Sequence, residues 1–223
     1  MKITQKIMDN KTERRVLTDQ PIEIRATEDG KERIEGYGIV FDRWSHNLGG
    51  FVERIDRSAV DGINFDGVIA SRNHNFDLLL GRVPKTMDIS IDERGVLYSI
   101  DPPNTTPGKD TLEMVRRGDI DGSSFMFTVR EDKWEKPEND GDPYKRTITK
   151  FDRVFEMGPV VGPAYPQTDA TVGKRALGMI RDEEEKRENE KLEQLKREQE
   201  LVKIQQQQLE AQLQLQSYNI NTD

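Results

Sequence analysis

Short apolar runs rich in β-branched and aromatic residues recur at 34–41, 68–71, 87–91, 96–100, 124–129, 146–155 and 159–161. Such runs read as strands. Turn signals separate them at 47–50, Asp61-Gly62, Asp66-Gly67, Arg94-Gly95 and 138–143. Asp29-Gly30 precedes the first run, and the alternating Ile22 and Ile24 ahead of it fit an edge strand joined by a hairpin. One window breaks the pattern: Leu112, Met114 and Val115 sit in a Gly- and Pro-free stretch, 109–117, that stops at Gly118, so a short helix is expected there. A second is expected at 57–62. Many closely spaced strands with few helices predict an α+β, mainly β fold, a closed or curled β-barrel with a few short helices, because closure removes exposed strand edges.

The pattern changes after residue 180. From Arg181 to Asp223 there are seven Lys/Arg and eleven Asp/Glu, with no glycine or proline. Leu192, Leu195, Val202, Leu209 and Leu213 fall on a and d positions of one heptad register, which Gln199 and Gln206 interrupt. The tail is expected to be a charge-laced, Gln-rich helix, solvated and alone or paired with a partner helix. Residues 173–180, with Gly173 and Gly178, are the expected hinge. The organisation is thus a leader with an edge strand (1–33), one strand-rich domain (34–176) and a helical tail (177–223).

Composition narrows the chemistry. The 223 residues carry 34 Lys+Arg and 42 Asp+Glu, a net charge of −8, which argues against a protein whose main work is gripping nucleic acid. Cysteine is absent, which excludes disulfides, thiolate metal sites and a cysteine nucleophile. With only His46 and His74, a zinc site of several histidines is excluded too. No run approaches the roughly 18 apolar residues of a membrane span. Residues 1–15 are charged rather than signal-like, so the sequence reads as a soluble protein made inside the cell, with no membrane partner.

Three segments carry candidate chemistry. His46 lies in a polar, glycine-ended loop with nothing paired to it, as surface histidines do. His74 follows the apolar run Val68-Ile69-Ala70 and enters a loop, where scaffolds commonly place functional side chains. Gly118 and Gly122 allow a tight backbone path before Ser123 and Ser124, which open an apolar strand. Ser124 is thereby a candidate nucleophile, and a turn serine bonded to backbone is the plain alternative. Glu156 interrupts the apolar stretch Val154, Phe155, Met157. It either faces out on an alternating strand or is held by a partner.

Together these segments resemble the prohead (capsid maturation) serine proteases of tailed bacteriophages, a family similar in fold to the herpesvirus assemblins. The likeness runs, in the family's order, through Gly36-Tyr37-Gly38-Ile39-Val40-Phe41, Phe51-Val52-Glu53-Arg54-Ile55, His74 with Leu80-Gly81-Arg82, Gly118 to Phe127, and Phe155-Glu156-Met157-Gly158 with Pro163-Ala164-Tyr165. It covers about residues 34–172. Met126 and Gly158 depart from it, where the family has glycine and serine.

The resemblance implies a barrel of the herpesvirus-protease type and peptide hydrolysis through an acyl-enzyme, with Ser124 as nucleophile and His74 as general base. The family's third member stands where Glu156 does, with Asp152, an even number of positions away, as the alternative. Amides around Pro163-Ala164-Tyr165, or Arg82, are candidate oxyanion donors. No metal or organic cofactor is implied. The expected partners are the major capsid protein and scaffold as substrates, cut inside the prohead in the host cytoplasm, often with self-cleavage afterwards. The tail is expected to pair with scaffold helices, and the herpesvirus relatives' need for dimers brings in a homodimer as a further expectation. A non-catalytic assembly protein is the competing reading. An esterase is disfavoured by the lack of a Gly-x-Ser-x-Gly elbow and of α/β alternation.

Overall fold

The structure, a computed structural model, describes residues 12–162 and 171–220, with side chains of the last helix to residue 206. It divides into two compact units, residues 1–174 and 175–223.

In the first unit the strands are β1 (Glu13–Leu17), β2 (Glu23–Ala26), β3 (Glu32–Val40), β4 (Phe51–Ile55), β5 (Ile69–Arg72), β6 (Asn75–Arg82), β7 (Met87–Ile91), β8 (Gly95–Ile100), β9 (Gly122–Glu135) and β10 (Tyr144–Val160). They form two sheets. The larger has the order β1-β9-β10-β5-β6, with β4 also on β10; the smaller is β2-β3-β8-β7. No closed cylinder is found among the described residues, so the fold is mainly β with helices, and the expected barrel is not seen. In the larger sheet the first residues of β10 pair in parallel with β4, and its Glu156 pairs with Ile69 of β5. One strand thereby serves two neighbours in succession, while β1 and β6 end the main path.

Alternation along β9 decides which residues face the core. Phe125 and Phe127 are fully buried and stack at 4.7 Å, with Phe151 edge-on to Phe127 at 5.1 Å. They cluster with Ile34, Ile39, Val96, Tyr98 and Ile100 of the smaller sheet. A two-residue period puts Ser124 and Met126 on the opposite face.

The helix α1 (Thr106–Arg117) begins three residues before the expected start and stops as predicted at Gly118. That glycine has φ of 78°, a left-handed cap that L side chains adopt only at a cost, and its amide bonds the carbonyls of Met114 and Val115. The helix expected at 57–62 is a short 3-10 turn, Arg57–Val60. The runs 146–155 and 159–161 belong to one strand, β10. Two segments without a strand expectation, Glu13–Leu17 in the polar leader and Asn75–Arg82 after His74, are strands.

The second unit is the C-terminal part of α2 (Thr171–Ile220). The expected hinge, 173–180, is helical. Arg187 pairs with Glu183 and Arg197 with Glu193, one turn apart, and Leu192, Leu195 and Val202 are exposed. Leu209 and Leu213 lie outside the described side chains. Among the described residues no helix is long and apolar enough to cross a membrane.

Candidate active site

Three side chains distant in sequence meet on the larger sheet. His74 sits in the two-residue turn joining β5 to β6, where Arg72 pairs with Asn75. Asn73 and His74 have φ of 54° and 58°, the left-handed pair of a type I′ hairpin. Asparagine and histidine tolerate that region better than most residues, yet it remains a strained place for an imidazole. The turn is fastened to the end of β10: the Asn73 amide donates to Pro159 O at 3.1 Å, and the Val161 amide to Asn73 Oδ1 at 2.9 Å. These bonds aim the ring across β5 towards β10 and β9.

There, His74 Nδ1 lies 2.8 Å from Glu156 Oε2 and Nε2 lies 2.7 Å from Ser124 Oγ. When Glu156 is ionised its oxygens only accept, an arrangement that puts the proton on Nδ1 and leaves Nε2 to accept from the serine. Glu156 is 1% exposed, and its second oxygen accepts from Ser71 Oγ. Ser71 is a residue that the sequence reading passed over. It stands on β5, next to the strand bearing Glu156, and its only sequence mark is its place three residues before His74.

The neighbouring serine is engaged elsewhere. Ser123 faces the core and shares a 2.8 Å hydrogen bond with the hydroxyl of Tyr98, whose phenol burial pushes well above its ordinary value. Asp152, the alternative third member, does not join the cluster. Its carboxylate faces Thr128 and Arg130, and its side chain is 53% exposed. Asp152 is itself the unmatched residue where β10 is irregular against β9, between Phe151 and Arg153, whereas Glu156 is in register with Met126.

His46 is exposed and lines, with Trp44 and Leu48, a cavity of about 340 Å³ beside residues 15–19. Arg82 donates to Gly67 O at 3.2 Å. Pro163, Ala164 and Tyr165 lie outside the described residues, and those candidate donors with them. Among the described residues no cluster of three or more His, Asp or Glu could hold a metal ion.

Beside the cluster lies a buried ionic group without any sequence forecast. Arg15 bonds Glu53 (2.8 Å) and Glu13 (2.6 Å), and Arg146 bonds both glutamates (2.8 Å each) and Asp132 (2.7 Å). The group ties β1 to β4, β9 and β10. Burial alone would raise the Glu13 carboxyl, but the bonds and charges of Arg146 and Arg15 outweigh it and hold Glu13 below its ordinary value. Arg146→Met strips partners from three carboxylates and is expected to cost about 3–5 kcal/mol in urea unfolding at neutral pH. A carboxyl lowered on folding stabilises above its ordinary value of 4.5 and loses that contribution as pH falls through the folded value. The difference between the two proteins should therefore narrow below about pH 4.5.

Residues 20–183 match the family model of the caudovirus prohead serine protease. No curated protein matches the chain. Among solved structures, the chain is similar to the bacteriophage T4 capsid assembly protease gp21, with 16% identity over 69% of this chain and 100% of that one and a TM-score of 0.48. Because the family model spans well over half of the chain, and includes the three segments that bring His74, Ser124 and Glu156 together, the chain belongs to the caudovirus prohead serine protease family and is a capsid-maturation protease.

Proposed function

We propose that this protease is a serine endopeptidase in which Ser124 is the nucleophile, His74 the general base and acid, and Glu156 the group that fixes the imidazole. The observation that carries the reading is the continuous hydrogen-bonded chain Ser71, Glu156, His74, Ser124. In acylation the Oγ to carbon bond forms as the hydroxyl proton passes to Nε2. The carbon to nitrogen bond then breaks as Nε2 returns that proton to the leaving amine. A water repeats the sequence on the acyl-enzyme, giving its proton to Nε2 as it attacks, and Ser124 leaves with that proton. Glu156 accepts from Nδ1 throughout and stabilises the imidazolium that each step creates. Ser71 donates to the carboxylate oxygen that His74 leaves free, so both oxygens of Glu156 are held.

The substrates under this reading are the scaffold and the scaffolding segment of the major capsid protein inside the prohead, with self-cleavage of this chain. Co-expression with the capsid protein tests it. Intact-mass analysis should show the capsid protein shortened by the wild-type chain and full length beside Ser124→Ala; shortening beside Ser124→Ala would return the non-catalytic assembly reading. We further propose that the tail is the handle that brings the protease into the particle, because its exposed Leu192, Leu195 and Val202 suit a helical partner in the scaffold. Deleting residues 181–223 should leave turnover of a soluble substrate within about threefold of wild type, since charged solvated helices contribute little to a separate core. Incorporation into particles should be lost. Incorporation at the wild-type level would discard the handle.

A further inference from the structure

The candidate nucleophile is wholly shielded from solvent: Ser124 has 0% exposure. A peptide substrate has to reach its oxygen, so whatever covers it has to move. The covering element that touches Oγ is β1. It pairs antiparallel with β9, Val16 standing opposite Ser124 and Arg15 opposite Phe125, and the Arg15 carbonyl accepts from Ser124 Oγ at 2.8 Å. An extended peptide can pair with β9 at Ser124 only along this same outer edge, because the other edge is held by β10.

The bond itself marks a resting arrangement. A serine hydroxyl has one proton, and here it faces two acceptors, His74 Nε2 at 2.7 Å and Arg15 O at 2.8 Å. When the proton points at the carbonyl, it is withheld from the imidazole that has to take it. The same contact brings the carbonyl oxygen, rather than its carbon, towards Oγ, so the Arg15–Val16 peptide bond is presented in a pose that does not favour attack.

The ionic group shows how such a strand can be firmly held and still leave. Glu13 and Arg15, both on β1, bond each other, and Glu53 and Arg146, which stay behind, also bond each other. The group therefore divides into the Glu13–Arg15 pair on β1 and an Arg146 that keeps both Glu53 and the partly exposed Asp132, so departure of β1 leaves no buried charge without a partner, the state that makes broken ion pairs so costly.

From these observations we infer that Glu13–Leu17 is an internal occupant of the substrate's place on β9, and that cleavage requires its exchange for an extended substrate segment. The inference rests on the assignment of Ser124 as nucleophile.

A reversible lock tests it. The chain has no cysteine, and Arg14 stands directly opposite Met126. Opposed residues of antiparallel strands have Cα separations of roughly 4.5–5.5 Å, within disulfide reach. The full-length Arg14→Cys/Met126→Cys chain would be oxidised or reduced, and labelling of Ser124 by a fluorophosphonate probe followed by mass spectrometry alongside thermal melting. The rate of the reduced form is the reference, and the oxidised form should label at least tenfold more slowly while melting no lower, with reductant restoring the rate. Equal labelling of the two forms would overturn the exchange and leave the nucleophile assignment standing. Labelling of neither form, nor of wild type, would instead remove the nucleophile and the inference with it.

Discussion

Ser124→Ala is expected to lower kcat by about a million-fold, and His74→Ala in the same background to lower it no further, because residues acting as one unit are grossly non-additive. The physical basis is the 2.7 Å contact between Nε2 and Oγ. Once the hydroxyl is gone the imidazole has no proton to take, so its own loss is silent. Single-turnover cleavage of capsid protein by the two single variants and the double variant, each verified as folded by circular dichroism, makes the comparison. A further large loss in the double variant would show that His74 acts independently of Ser124, contrary to the proposed acyl-enzyme.

Glu156→Gln should lower kcat by about ten-thousand-fold with little change in unfolding midpoint. The side chain keeps its length and its acceptor for Ser71, but its amide can turn a donor towards Nδ1, which favours the tautomer with the proton on Nε2. An Nε2 that already bears a proton cannot accept one from Ser124. Asp152→Asn supplies the contrast. Its exposed carboxylate faces Thr128 and Arg130, so activity should stay within about threefold of wild type, as surface substitutions generally do. A loss at Asp152 equal to that at Glu156 would reassign the third member.

The sequence reading and the structure agree where local chemistry decides the outcome. The runs around Ile34, Met87 and Val96 are strands with near-expected bounds, the run around Phe125 is a strand that continues six residues past its expected end to Glu135, and the helix ends at Gly118 because a glycine is what a left-handed cap needs. His74, Ser124 and Glu156 could be picked out, but their meeting rests on pairings across 50 and 82 residues that no local pattern encodes. The preference for Glu156 over Asp152 came from the family likeness. Strict alternation puts both on one face, but Asp152 is the unmatched residue of an irregularity in β10 and its carboxylate is exposed, while Glu156 is in register with Met126. The strand β1 was missed because Glu13-Arg14-Arg15 reads as a solvated charge run. Its buried face is made of ions whose partners, Glu53 and Arg146, lie 38 and 133 residues away. Ser71 was missed for the same reason, since its partner Glu156 is 85 positions downstream.

The span of these contacts sets when the enzyme can exist at all. The imidazole, the serine and the carboxylate enter the chain in turn, and β10, which carries the last of them, also has to lie between β9 and β5 before the ring has an anchor. Assembly that depends on such remote pairings is slow compared with forming a helix or a hairpin, because loop-closure entropy is lost before the contacts are gained. A polypeptide still emerging from the ribosome with fewer than about 160 residues exposed therefore lacks the proposed catalytic centre. Under the proposed assignment, this timing keeps an unfinished chain from cutting peptides before β10 is in place.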